Sequence, residues 1–271
     1  MNKITCIEDI DRRIKEIWNS PYMSNLPEWV KKRGYIYADP VKYADSVKRD
    51  ILITGINPSF RKGEEEKLAN CHGLSIKNFD PEKWKEGRLK CGKKGIRWDT
   101  YWGPMYKMLC IDDINLLNRF DYLDIFHFRE QEQSKLSKEI LQNDKMYNED
   151  GRNFIVDELN LTQHIIEDVI QPRLILVKNK ESWAYWGKLK DEGLIWMGYD
   201  FIEIRKYSCG DLCMINGLLD SNERIAPEIT NENTNLKGTY VLFSEHITRY
   251  TEQKKRPTAH LLNELLNEIS K

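Results

Sequence analysis

The chain has no long hydrophobic run, and this absence limits where the protein can act. No stretch of the sequence approaches the roughly 18 consecutive apolar residues that a membrane-spanning helix needs. The first residues, Met1 to Thr5, also lack the apolar core that is typical of a secretory signal. We therefore expect a cytoplasmic protein with no membrane partner.

An excess of charge of one sign is also missing. Lys and Arg number 42 against 43 Asp and Glu, and the formal net charge is −1. A chain with this balance is not a general binder of polyanions, so contact with DNA would depend on local clusters. One basic cluster runs from Lys83 to Arg97, and another is Lys254-Lys255-Arg256. Each is either an ordinary solvated surface or a rim for DNA phosphates.

Cysteine is sparse, and its spacing excludes the common cysteine-based sites. The six cysteines are scattered, and Cys209 and Cys213 form a single loose pair, whereas zinc and iron–sulfur sites normally show two tight pairs. We therefore expect free thiols, no metal and no cofactor. The sequence also lacks the G-x-S-x-G, P-loop and G-x-G-x-x-G motifs, which disfavours lipases, nucleotidases and dehydrogenases.

Short apolar runs separated by amphipathic segments indicate the α/β class. Runs that begin at Ile51, Tyr122, Leu174 and Tyr240 predict buried strands, and helical spacing lies between them. This alternation predicts parallel βαβ units, hence a three-layer sandwich around a central, mostly parallel four-stranded sheet. We expect one domain over residues 1–271, with residues 60–98 as a basic insertion or flap.

The turn after the first predicted strand is the most informative segment. Gly55-Ile56-Asn57-Pro58-Ser59 directly follows the apolar run, and Gly with Asn-Pro forces the backbone into a sharp turn. Open α/β sheets bind ligands at the carboxyl ends of their strands, so Asn57 is expected beside a ligand. Its amide either holds a water or merely stabilises its own turn.

Four segments resemble, in the same order, the uracil-DNA glycosylase superfamily. The turn at residues 55–59 is similar to its first motif, closest to the mismatch-specific uracil/thymine glycosylases. Residues 101–108 resemble the aromatic helix that follows, and residues 124–139 resemble the second strand with its "SK…SKE" segment. Residues 242–246 look like the closing strand and its histidine loop.

This resemblance implies a DNA glycosylase, a hydrolase that flips out a modified or mismatched base and cleaves its N-glycosidic bond during base excision repair. Asn57 would aim a water at the anomeric carbon, and His246 would stabilise the departing base. The chain is expected to act on DNA as a monomer. The expected base-binding residues are Asp124, Phe60 and Trp98, and the expected DNA contacts are Ser59, Arg61, Thr248, Arg249, Lys254 and Lys255.

Two positions depart from the superfamily pattern. The usual His-Pro-Ser loop is here His246-Ile247-Thr248, and Asp124 stands where related enzymes often hold an asparagine. Because an ionised carboxylate only accepts hydrogen bonds, Asp124 favours a base that offers N–H donors, or else it orients a water or caps a loop. The alternatives are a non-catalytic nucleic-acid or nucleotide-binding member of the same fold, and a hydrolase of free nucleosides.

Overall fold

A computed structural model describes residues 3–37, 50–58, 71–72, 98–117, 119–143, 146–245, 247 and 250–269. Its centre is a sheet of six strands in the order β4–β5–β6–β3–β1–β2. Strands β2, β1, β3 and β6 are parallel to one another, and β5 is antiparallel to both of its neighbours. The strands are β1 Ile51–Gly55, β2 Phe120–Asp124, β3 Leu174–Val177, β4 Tyr199–Tyr207, β5 Gly210–Leu218 and β6 Tyr240–Ser244.

The mixed α/β class with a mostly parallel sheet is confirmed, but the predicted number of four strands is wrong. All four predicted strands are present and form the parallel part, while β4 and β5 add a hairpin beyond β6. Strand β4 lies at the sheet edge, and its middle residues are exposed and partly charged, as at Glu203, Arg205 and Lys206. It therefore lacks the uninterrupted apolar run that marks a buried strand.

Helices accompany the sheet, and the shorter elements lie between them. The α-helices are α1 Ile7–Trp18, α2 Glu28–Arg33, α3 Trp98–Leu109, α4 Glu149–His164, α5 Trp183–Trp186 and α6 Ala259–Ile269, and π-helical turns span Leu136–Ile140 and Ile165–Ile170. Short 3-10 turns span Pro21–Asn25, Lys180–Ser182, Lys190–Glu192 and Gln253–Lys255. Two-residue strands pair Ile36–Tyr37 with Cys71–His72, Cys110–Ile111 with Ile114–Asn115, and Gln142–Asn143 with Met146–Tyr147.

Both faces of the parallel strands are buried, which explains their continuous apolar sequences. Along β1, Leu52 belongs to the core shared with α1 and α4, whereas Ile51 and Ile53 belong to the core shared with α3 and α6. The same alternation continues in β3, where Val177 faces the first core and Leu176 the second. Because side chains alternate between the two faces of the sheet, the position of each polar residue at a strand end determines the face on which its side chain lies.

The order of the strands reverses between β1 and β3. The chain passes from β1 to its neighbour β2 and then returns to β3 on the opposite side of β1. Segments that leave β1 and β3 therefore start side by side at the carboxyl edge of the sheet. Ligands of open α/β sheets bind at such a reversal point. The residues found there are the turn at 55–58 and Lys178 with Asn179.

Two expectations about the whole chain can be compared with this structure. Cys6, Cys110, Cys209 and Cys213 are free thiols, as predicted for them. In the part of the chain that the structure describes, no helix combines the length and the apolar character needed to cross a bilayer.

Candidate functional site

Asn57 lies two residues beyond β1 and fixes its own turn to a distant loop. Its Nδ2 donates to the carbonyl oxygens of Pro58 at 3.1 Å and Glu130 at 2.7 Å. Its Oδ1 accepts a hydrogen bond from Gln133 Nε2 at 2.9 Å. Both N–H groups of the amide are therefore bound to protein, while Oδ1 retains one lone pair for another donor, such as a water.

The loop that receives Asn57 is itself held by ion pairs. The Glu130 side chain is 6% exposed, and its carboxylate pairs with Arg33 and, at 3.2 Å, with Lys135. Its other oxygen accepts from the backbone N–H groups of the next two residues at 2.7 and 3.1 Å. Burial alone would raise the pKa of Glu130, but these donors outweigh burial and lower it. The orientation of the Asn57 side chain therefore depends on the loop that contains Glu130 and on Arg33, which pairs with that loop.

Asp124 ends β2 and lies across the end of β1. Its register partner is Gly55, and a Cβ atom at Gly55 would lie 1.9 Å from Asp124 Oδ1 and 2.3 Å from the Tyr122 hydroxyl oxygen. The missing side chain leaves room for that hydroxyl to donate to Asp124 Oδ1 at 2.8 Å. Gly55 of the predicted motif therefore allows Asp124 and Tyr122 to meet at the strand end.

The surroundings of Asp124 oppose its ionisation. Burial raises the pKa of Asp124, and the opposing effects of Lys178, the Tyr122 hydrogen bond and His127 do not cancel this increase. Lys178 directly follows β3 and is 3% exposed, with its Nζ 5.8 Å from the centroid of the Tyr122 ring. The carboxyl group of Asp124, the ammonium group of Lys178 and the phenol of Tyr122 therefore lie close together. They can form hydrogen bonds with a polar ligand at a place that is largely shielded from water.

Lys178 and Ser244 were not among the residues predicted from the sequence. Ser244 ends β6 and is fully buried, and its hydroxyl has no hydrogen-bond partner among the described residues. The sequence does contain a signal for both positions, because each is the first polar residue after a predicted apolar strand. Asn57 was instead predicted from its turn, and Asp124 from the resemblance to the uracil-DNA glycosylase superfamily.

The two predicted DNA-contacting lysines lie at the same edge of the sheet. The turn between β4 and β5 reaches this edge, since Gly210 pairs with Ser244, and Ser208 Oγ of that turn donates to the Lys254 carbonyl oxygen at 2.7 Å. Lys254 Nζ is 3.1 Å from Glu252, and Lys255 Nζ is 3.9 Å from Glu245. All four side chains of these pairs are largely exposed, so phosphates can compete for the lysines.

Several predicted residues lie outside the part of the chain that is described: Ser59, Phe60, Arg61, His246, Thr248 and Arg249. The same holds for residues 60–70 and 73–97 of the predicted insertion. Trp98 begins α3, and its side chain is not described. Among the described residues, no group of three or more His, Cys, Asp or Glu side chains has an arrangement that could hold a metal ion.

No model of a known protein family matches this chain, and no curated protein or solved structure with which it was compared matches it significantly.

Proposed function

We propose that this chain is a DNA glycosylase with a uracil-DNA glycosylase-like, three-layer fold, and that it hydrolyses the N-glycosidic bond of a modified or mismatched base. One observation carries the proposal. The Asn57 turn follows β1 and Asp124 ends the hydrogen-bonded neighbour β2, beside the point where the strand order reverses. A base held there would meet a water-binding amide and an edge-reading carboxyl together.

The state of Asn57 supports a limited catalytic role. An amide is too weak a base to remove a proton from water, but a fixed amide oxygen can orient one. The two hydrogen bonds that Nδ2 donates to the Pro58 and Glu130 carbonyl oxygens fix the amide plane, and the remaining lone pair of Oδ1 is available to accept from the attacking water. Such a site relies on a leaving group that already departs readily.

The test is base release from oligonucleotides. Single- and double-stranded substrates carry one uracil, one mismatched thymine or one hypoxanthine, and alkali cleaves the strand wherever a base has been lost. The wild-type chain is expected to release at least one of these bases, and Asn57→Ala is expected to lower the rate by about 100-fold. Asp124→Asn is expected to raise the release of uracil, because an amide can donate to a uracil carbonyl.

Two comparison variants distinguish a loss of catalysis from a loss of folding. Asn57→Ala also removes the hydrogen bonds of the turn, whereas Gln133→Ala removes one partner of Oδ1 and keeps the oxygen itself. Gln133→Ala is therefore expected to lose much less activity than Asn57→Ala. Asn216→Ala changes an exposed amide that contacts Asp200 far from the turn, and it serves as the neutral control. Base release that survives Asn57→Ala unchanged contradicts the proposal.

A non-catalytic module that binds a nucleotide or nucleic acid is the second candidate, and one observation favours it. Both N–H groups of the Asn57 amide are used inside the protein, which is the arrangement of a residue that stabilises a turn. The assay distinguishes the two candidates, because such a module would bind the oligonucleotides without releasing any base.

A further inference from the structure

Four polar side chains lie along one face of the sheet at its carboxyl edge, on either side of a position that has no side chain. Gly55 is in register with Asp124 of β2, and it is followed across the sheet by Lys178 after β3 and Ser244 of β6. The Tyr122 hydroxyl completes the group through its 2.8 Å hydrogen bond to Asp124. We refer to Asp124, Tyr122, Lys178 and Ser244 as the edge cluster.

Alternation along the strands places the edge cluster on a single face. Tyr122, Leu176 and Leu242 all belong to the core shared with α3 and α6, and residues two positions further along a strand point the same way. Asp124, Lys178 and Ser244 are those residues. The 5.8 Å distance between Lys178 Nζ and the Tyr122 ring centroid agrees with this assignment.

The edge cluster also has an unused hydrogen-bonding group. A buried hydroxyl normally has a partner, because leaving one unpaired costs free energy. Ser244 Oγ is fully buried and has none among the described residues. A polar ligand or a water at the cluster would supply it.

We propose that the edge cluster recognises the Watson–Crick edge of a guanine-type base, meaning a base with two adjacent N–H donors next to a carbonyl oxygen. In this arrangement the two N–H donors of the base add to the Lys178 charge and the Tyr122 hydrogen bond in favouring the ionised form of Asp124 against burial. The Asp124 carboxylate then accepts from the N1–H and the exocyclic N2–H groups, and the Lys178 ammonium donates to O6. This inference rests on the proposed function, since it names the class of base that the same site would take.

Hydrogen-bond chemistry distinguishes guanine from the other bases. Uracil and thymine present a single N–H between two carbonyls, so one carboxylate oxygen would face a carbonyl oxygen and be repelled. Adenine presents one donor next to a bare ring nitrogen, and cytosine presents one donor next to two acceptors. Only the guanine edge offers two donors to a carboxylate and a carbonyl to an ammonium. Charge-assisted pairs of this kind are stronger than neutral ones.

The experiment measures binding separately from base release. Labelled single-stranded oligothymidylates carry one central guanine, hypoxanthine, adenine or thymine on a 2′-fluoroarabinose, a sugar that resists glycosidic cleavage. Fluorescence anisotropy then gives the affinity of the full chain for each. We expect guanine to bind about tenfold more tightly than adenine or thymine, and hypoxanthine, which lacks the N2 amino group, to lie between them.

Substitutions at the edge cluster assign the contacts. Asp124→Asn replaces one acceptor with a donor, so the preference for guanine over hypoxanthine should disappear. Lys178→Met should weaken guanine and hypoxanthine equally, because both carry O6. The matched controls are Asp200→Asn and Lys190→Met, which alter an ion pair of 2.6 Å near the opposite edge of the sheet and should leave the order of bases unchanged.

Each outcome bears on the inference. Equal affinity for the four oligonucleotides overturns it, and so does a guanine preference that Asp124→Asn leaves intact. If Lys178→Met does not fold, Lys178→Arg retains a donor and must preserve the order of bases. A guanine preference without base release supports the inference and contradicts the glycosylase proposal. Uracil release without a guanine preference supports the glycosylase proposal and contradicts the inference.

Discussion

At the scale of single residues, Gly55 leaves no room for a side chain. Gly55→Ala would place a methyl group 1.9 Å from Asp124 Oδ1 and 2.3 Å from the Tyr122 hydroxyl oxygen. We expect this overpacking to lower the free energy of unfolding by about 1–3 kcal/mol, as measured by urea denaturation. The cost should shrink when Asp124→Ala is present as well, because the colliding carboxyl is then absent. Additive effects of the two substitutions would contradict the collision.

Asp124 also makes stability depend on pH. Burial raises the pKa of Asp124, so its contribution to stability is complete below the ordinary pKa of about 3.9 and is lost as the pH rises through the raised value. Asp124→Asn stays neutral at every pH. The stability of this variant relative to the wild type should therefore increase as the pH rises from about 4 and level off above the raised pKa. Urea denaturation of both proteins across this range measures the difference.

Asp200 provides the control of opposite sign. The hydrogen bond from Lys190 is the main reason that the pKa of Asp200 is lowered, so its contribution to stability is present above the ordinary pKa and is lost as the pH falls. Asp200→Asn should therefore become less stable relative to the wild type as the pH rises through that range. Parallel pH profiles for the two variants would contradict the environment described for Asp124.

At the scale of elements, the stability of the loop at residues 129–133 is the main requirement for the Asn57 turn. Glu130→Gln removes a buried negative charge from beside Arg33 and Lys135, and it should lower the free energy of unfolding by about 3 kcal/mol. Glu28→Gln removes one member of an exposed ion pair with Lys31 and should cost less than about 1 kcal/mol. Equal effects in chemical denaturation would mean that the Glu130 pairs add nothing beyond a surface contact.

The sequence identified some elements and missed others for physical reasons. Strand β3 begins at Leu174, as predicted, because a strand buried on both faces must be apolar throughout. Strand β4 was missed because an edge strand tolerates exposed charges.

Some residues of the candidate site could likewise be predicted from the sequence, and others could not. Asn57 was predicted from local sequence, because its turn directly follows an apolar run, whereas Asp124 was predicted from the resemblance to the uracil-DNA glycosylase superfamily. The partners of Asn57 were not predicted, because Glu130 and Gln133 reach Asn57 through a loop whose approach depends on the tertiary fold. A rule that selects the first polar residue after every predicted parallel strand would also have found Lys178 and Ser244.

At the scale of the whole molecule, the net charge of −1 limits how the chain would bind DNA under the proposed function. A nearly neutral protein gains little from its overall field, so binding must come from a local group of lysines and arginines. Lys254 and Lys255 are exposed basic residues at the carboxyl edge of the sheet, the edge that also holds Asp124. A base bound at that edge would bring its flanking phosphates towards them.

This arrangement predicts a change in the salt dependence of binding. The affinity of the chain for a duplex oligonucleotide should fall linearly on a double-logarithmic plot against salt, with a slope of about −0.9 for each phosphate contacted. The double variant Lys254→Ala/Lys255→Ala should make that slope shallower by about one to two. Lys190→Ala/Lys237→Ala removes the same charge near the opposite edge of the sheet, so its slope should remain that of the wild type. If both double variants reduce the slope equally, DNA is held by the overall charge, and the carboxyl edge is not its docking surface.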